Sequence, residues 1–377
     1  MKLRKINVLL ISLIMIIAFA TNISADILRE QIFISDNSAE IIFEEIKDNI
    51  IFKYSDIYSF DNFSYEFINE RQEDNNILID INIFTDMTLA QHPSDSEFIK
   101  AINNELILIN DENEKKLIQK EIQYFIDEIE TLYYKKKDEC IFKYTVKFSN
   151  TKLKIAESNE DIDYQLYYRT DITSDNIMIE PVISIKKVND NKDQIKSDAA
   201  KTISDIRAVF LKNRAVSDFV YDRLVARDYA LNHATDTPEF SSANGQGSDC
   251  ANFVSKSLNE GGIPVDEDGD WYPSTNGTTA TCGTNWMRTG YYNNGGVVPY
   301  MTDKGYFYEQ TSESKVYAGS IMSWDAESHV ALVTYGDTVT IKYTQHSNVK
   351  LTEKQAKNVV YETEQATFYM PSSTIMD

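Results

Sequence analysis

Residues 26 to about 195 hold almost no glycine or proline, in a chain of 377 residues with 13 Gly and 7 Pro. That scarcity excludes a flexible low-complexity linker there, and no internal repeat is visible. Only three cysteines are present, Cys140, Cys250 and Cys282. So small and odd a number excludes a disulfide framework and leaves at least one free thiol. Positive charge is short as well: 37 Lys and Arg face 59 Asp and Glu, for a formal net charge of −22. A field of that sign repels phosphate, so nucleic acid and anionic lipid are poor partners. Beyond residue 25 no apolar run is long enough to cross a bilayer. Cofactor-binding motifs are missing too, and no cofactor or metal is expected.

The first 25 residues have the pattern of an export signal. Lys2, Arg4 and Lys5 precede an apolar core over Val8–Ala20, and Ile23-Ser24-Ala25 reads as a cleavage site. The expected location is outside the cytoplasm, at the cell surface or in the cell wall, with no membrane insertion once the signal is removed. The formal charge becomes more negative without those three cations.

From 26 to 194 the chain reads as an α+β domain. Ile77, Ile79, Ile81 and Ile83 alternate with Leu78, Asp80 and Asn82 as a strand does. Ile118, Ile122, Phe125, Ile126, Ile129 and Tyr133 recur at helical steps. Phe142, Tyr144, Val146 and Phe148 alternate again, and three further strands are expected at Leu153–Ile155, Tyr164–Tyr168 and Ile177–Ile185. No constellation in this half is suited to chemistry. A helical stretch over about 195–234 is expected to join the halves, its first part (195–218) as a connector, and 219–377 forms the second domain.

Chemistry-bearing residues gather in that second domain. In Gly245-Gln246-Gly247-Ser248-Asp249-Cys250-Ala251-Asn252-Phe253-Val254 a glycine loop runs into an apolar helical stripe that Gly261-Gly262 closes. Ser248 or Asp249 can cap the helix. Cys250 then lies in the first turn, where free N–H groups and the helix dipole favour a thiolate. A buried cysteine that merely packs is the competing reading, as is a Cys250–Cys282 disulfide. Two of the four histidines lie in one hairpin. His329 opens a strand after Ile321–Trp324, and His346 ends the return strand. His346 could hold the imidazole of His329 from its far side. Gln345 and Asn348 are alternatives, since a one-residue slip exchanges the faces of a strand. Asp249 and Asn252 could order the loop, and Trp286 and Trp324 could line a substrate groove or simply be core. Asp266-Glu267-Asp268-Gly269-Asp270 lacks an acidic closing ligand at Gly277, so it reads as a solvated turn rather than a calcium loop.

The segment from about Tyr221 to Thr367 resembles amidase domain family six, among the papain-like cysteine hydrolases. The resemblance rests on Asp249-Cys250-Ala251-Asn252-Phe253-Val254-Ser255, Gly261-Gly262-Ile263-Pro264, Trp271, Asn285-Trp286, Gly319-Ser320-Ile321, His329-Val330-Ala331-Leu332-Val333 and Gln345-His346-Ser347. It implies a papain-like domain, with a nucleophile helix packed on an antiparallel sheet that carries the base. It also implies Cys250 as nucleophile, His329 as base and His346 as the orienting group. The expected reaction is cysteine-dependent amide hydrolysis, with bacterial peptidoglycan peptides as the expected substrate. A non-catalytic secreted binding protein is the alternative from another class, and a zinc site of Cys250, His329 and His346 is a third reading.

Overall fold

The computed structural model describes residues 36–149, 164–171, 177–211, 218–241, 248–290, 295–324, 328–363 and 365–376. The export segment, the expected strand at Leu153–Ile155 and the glycines Gly245 and Gly247 lie outside the described residues.

The chain is α+β and built on one largely antiparallel sheet. Helix α1 (Asp36–Tyr54) precedes two long strands, β1 (Tyr58–Glu73) and β2 (Asn76–Leu89). Helices α2 (Glu97–Ile107) and α3 (Glu112–Leu132) lead to β3 (Lys137–Ser149), β4 (Tyr164–Asp171) and β5 (Ile177–Pro181). Helix α3 forms where the heptad-like spacing requires it. Asp111 caps its start by accepting from the N–H groups of Asn113 and Glu114, and Ile118, Ile122, Phe125, Ile126 and Ile129 make its buried side.

Helix α4 (Lys192–Leu211) comes next. The expected helical stretch of 195–234 is in fact two helices, and α4 is not a bare connector. It packs on α2, and its Ala199, Ile203 and Ile206 are buried in the main core. The second helix, α5 (Arg223–His233), is capped by the Asp222 carboxylate. Then follow α6 (Cys250–Glu260), α7 (Thr284–Met287), α8 (Val297–Asp303), β6 (Phe307–Gln310), β7 (Ile321–Trp324), β8 (His329–Gly336), β9 (Ile341–Thr344), α9 (Glu353–Ala356), β10 (Val359–Val360) and β11 (Thr367–Pro371).

The sheet runs β1-β2-β3-β10-β9-β8-β7-β11-β6, with β4 and β5 branching from the far end of β3. The halves therefore meet within the sheet. Val359 of β10 pairs in parallel with Ile141 of β3, and the Ile141 N–H donates to the Asn358 carbonyl.

Two cores lie on opposite faces of the C-terminal strands. Ala331, Val333 and Tyr335 of β8 pack into the core that holds α1, α2, α3 and α4. Val330 and Leu332 of the same strand pack with Cys250, Phe253, Val254 and Leu258 of α6. Every residue of β8 is buried, as a strand covered on both faces must be. The first face is sealed by aromatic pairs from α3 and its C-cap, Phe125 on Tyr317 and Tyr133 on Tyr335. An ion pair between Arg223 and Glu128, both largely buried, adds to the seal.

Candidate active site

Helix α6 presents Cys250 as its first residue. The helix is held against β8 by Phe253, Val254 and Leu258, all at most 2% exposed; each contributes roughly 1.5–3 kcal/mol of burial. At its other end the Ile263 N–H donates to the Leu258 carbonyl and Gly262 adopts a positive φ of 106°. There a β-carbon would come within 2.4 Å of the Val220 carbonyl oxygen, so only glycine fits.

Cys250 is nearly covered (3% exposed). The N–H of Val330, in the peptide that joins His329 to Val330, and the N–H of Ala251 both favour its thiolate. The Ser248 hydroxyl beside it also favours the thiolate, although that hydroxyl makes no regular hydrogen bond. Burial outweighs all three and pushes the thiol up from its ordinary value. The expectation of a lowered thiol pKa thus fails in this resting state. The helix N-terminus favours the anion, but desolvation of a buried sulfur costs more than those donors return. Cys140, Cys250 and Cys282 are all free, so the Cys250–Cys282 disulfide is not formed.

His329 begins β8 beside Trp324, its cross-strand partner, with ring centroids 5.4 Å apart. No hydrogen bond joins its ring to Cys250. Its Nε2 lies 2.8 Å from Gln345 Oε1. The Gln345 amide nitrogen donates to the carbonyls of Asp171 at 3.0 Å and Gln355 at 3.5 Å. With that nitrogen occupied, only the oxygen can face the ring, so Nε2 must carry the hydrogen. The Nδ1 lone pair is then unprotonated. Among the described residues it has no hydrogen-bond partner. Burial, partly offset by Gln345, brings the imidazole down to about 4, so it is neutral at pH 7.

That depressed value has a consequence for stability. In the unfolded chain His329 binds a proton near the ordinary histidine value of about 6.5, whereas in the fold it resists protonation down to about 4. Between those limits the unfolded state holds more protons, so stability falls as the pH falls. The slope is about 1.4 kcal/mol per pH unit, or roughly 3 kcal/mol across the window. Urea unfolding at several pH values between 4 and 7 should show this slope reduced in His329→Gln.

His346 lies elsewhere. The structure sets it on Asp249 and Phe253, on the α6 face, and leaves the contact with His329 to Gln345. Its ring stacks on Phe253, centroids 4.2 Å apart. Nδ1 lies 2.7 Å from Asp249 Oδ2, and Nε2 lies 2.8 Å from the His233 carbonyl at the end of α5. A carbonyl can only accept, so Nε2 donates to it. The second contact is then a carboxylate–imidazolium pair or its neutral tautomer, and either way no ring nitrogen is left for Cys250. The slip of one position between Gln345 and His346 decides which face each reaches.

Asp249 occupies the N-cap position of α6 without capping it. Its carboxylate accepts instead from the Phe240 N–H, the Asn252 amide and His346. Asn252 accepts in turn from the Trp286 indole at 2.7 Å. The Asp-Cys-x-Asn run thus braces the start of α6 from three sides. Trp271, Trp286 and Trp324 are each at most 1% exposed; Trp286 and Trp324 are core rather than lining of an open groove. Asp266 receives Gly269 N–H, Tyr300 hydroxyl and Lys304, contacts that make a tied-down turn. Among the described residues no three His, Cys, Asp or Glu side chains are placed to hold a metal.

A comparison with known families bears on this arrangement. Residues 220–370 match the family described as Putative amidase domain. The matched region holds Cys250, His329, Gln345 and His346 together, and points to an amidase-type hydrolase. Neither a curated protein nor a solved structure matches the chain.

Proposed function

We propose that the amidase region hydrolyses amide bonds with Cys250 as nucleophile and His329 as general base. One observation carries this reading. Of the two histidines in the hairpin, His329 alone keeps a ring nitrogen with no partner among the described residues, and the peptide N–H that follows it favours the Cys250 thiolate. A buried thiol and a neutral imidazole form a resting pair in which proton transfer accompanies attack. His329 Nδ1 takes the thiol proton as the ring swings toward the sulfur, and the thiolate adds to the amide carbonyl. The imidazolium then protonates the departing amine, leaving a thioester that water hydrolyses. The Cys250 backbone N–H, at the start of α6, is suited to stabilise the oxyanion. Gln345 holds the ring in the tautomer that leaves Nδ1 free, the role an acceptor plays behind the base in related triads. Because Cys250 is buried, a substrate must displace its cover to reach the sulfur.

The substrate reading is the peptide portion of bacterial cell wall, cut outside the cytoplasm. It is supported by the export-type N-terminus and the amidase match. The test is to digest purified cell walls with the protein and with Cys250→Ala, reading new amino groups and fragment masses. Release by the wild type alone supports the proposal, and equal release by both removes Cys250 from the chemistry.

A further inference from the structure

Behind Gln345 the polar contacts continue into the N-terminal half of the chain. The Asp171 carbonyl, at the end of β4, accepts from the Gln345 amide at 3.0 Å. The Asp171 carboxylate is held by Lys143 Nζ of β3 at 3.0 Å and by Arg169 Nε at 2.8 Å. Lys143 Nζ also donates at 3.0 Å to the Gln355 carbonyl, the second acceptor of the Gln345 amide. Arg169 is fixed further back, by the Tyr144 carbonyl at 3.1 Å and Asn82 Oδ1 at 2.5 Å. Lys143 and Arg169 are both buried.

We propose that Asp171 and Lys143 are positioning residues for the amidase reaction, fixing the Gln345 amide and through it the tautomer and orientation of His329. The inference rests on the reading of His329 as the base. It assigns the N-terminal sheet a part in the chemistry: β3 and β4 form the back wall of the histidine's pocket. A glutamine amide without its two carbonyl acceptors can turn over and offer N–H to Nε2, which would move the ring hydrogen to Nδ1 and disable the base.

The charges of the cluster act on the same ring. Lys143 is the charged group that bears on His329, and it disfavours the imidazolium. Burial pushes the Asp171 carboxyl up, but Lys143 and Arg169 together bring it down to about 2. Burial also pushes the Lys143 ammonium down, and the neighbouring Asp171 carboxylate works against that shift. From β7, among the described residues, the ring meets the uncharged Trp324.

The two charges predict opposite effects. Lys143→Met removes the cation and should move the His329 protonation midpoint upward. Asp171→Asn leaves the cation less compensated while keeping the backbone carbonyl, and should move the midpoint downward. Histidine-selective 15N NMR of the full-length protein reads the tautomer and the midpoint directly, with His329→Gln to assign the signal. Lys143→Arg should restore the wild-type midpoint. Opposite shifts with rescue support the proposal. Midpoints that stay put, or that move the same way in both variants, overturn it. If one variant fails to fold, the sign of the other still decides. The reading needs no substrate, so cell-wall digestion by Cys250→Ala would refute the hydrolase while leaving these shifts untouched.

Discussion

Cys250→Ala should lower amide hydrolysis by about 10⁴-fold or more while leaving the fold intact, because loss of the nucleophile removes covalent catalysis altogether. Substrate binding and the oxyanion donor survive the substitution, so a residual rate above background is expected. Stability should change little, since a cysteine side chain exceeds alanine by one sulfur and the site already tolerates an imperfectly satisfied thiol. The pairing of those outcomes matters. A large loss of activity together with a large loss of stability would suggest a cysteine that only packs, as buried free cysteines commonly do. The kinetic measurement should therefore be accompanied by a denaturant midpoint on the same preparation.

The second large effect concerns Asp249. Its carboxylate is 3% exposed and accepts from the Phe240 N–H, the Asn252 amide and His346. Asp249→Ala strands all three donors and leaves the buried His346 ring without its acidic partner. A buried polar group left unpaired costs about 1–3 kcal/mol, and the alanine leaves several. Asp249→Asn should cost much less. The asparagine oxygen can still accept from Phe240 and Asn252, while its amide donates to a neutral His346 that keeps its bond to the His233 carbonyl. Equilibrium unfolding of the pair checks this. An alanine variant within 1 kcal/mol of wild type would mean the carboxylate is not the brace described.

The contrast between His346 and Gln345 shows how far local pattern can be read. Cys250 opening an apolar helical stripe and His329 opening a strand are local signals, and the structure has both elements at those residues. Which residue at the end of β9 meets the imidazole depends on pleat and register, and a shift of one position reverses the answer. Gln345 lies on the His329 side, His346 on the side of α6. Asp171 was invisible from sequence for another reason: it stands 174 positions from Gln345, and nothing in its neighbourhood marks it. The strands β2, β3 and β4 and the helix α3 were legible because their apolar residues keep one period. Helix α1 was not, because Ile41 and Phe52 are exposed and interrupt its stripe. Strand β1 is mainly exposed along its length, so burial imposed little alternation on it. The continuity of the sheet through the short β10 has no local signature.

Whether His329 serves the Cys250 sulfur is measured, without a substrate, by the rate at which iodoacetamide labels Cys250. Cys140 and Cys282 are silent competitors at pH 7, because burial pushes both thiols up to about 12. Peptide mapping of labelled wild type and His329→Gln at pH 7 should show Cys250 labelled at least about tenfold more slowly once the base is gone. Equal labelling rates in the two proteins would contradict the pairing of this cysteine with this histidine.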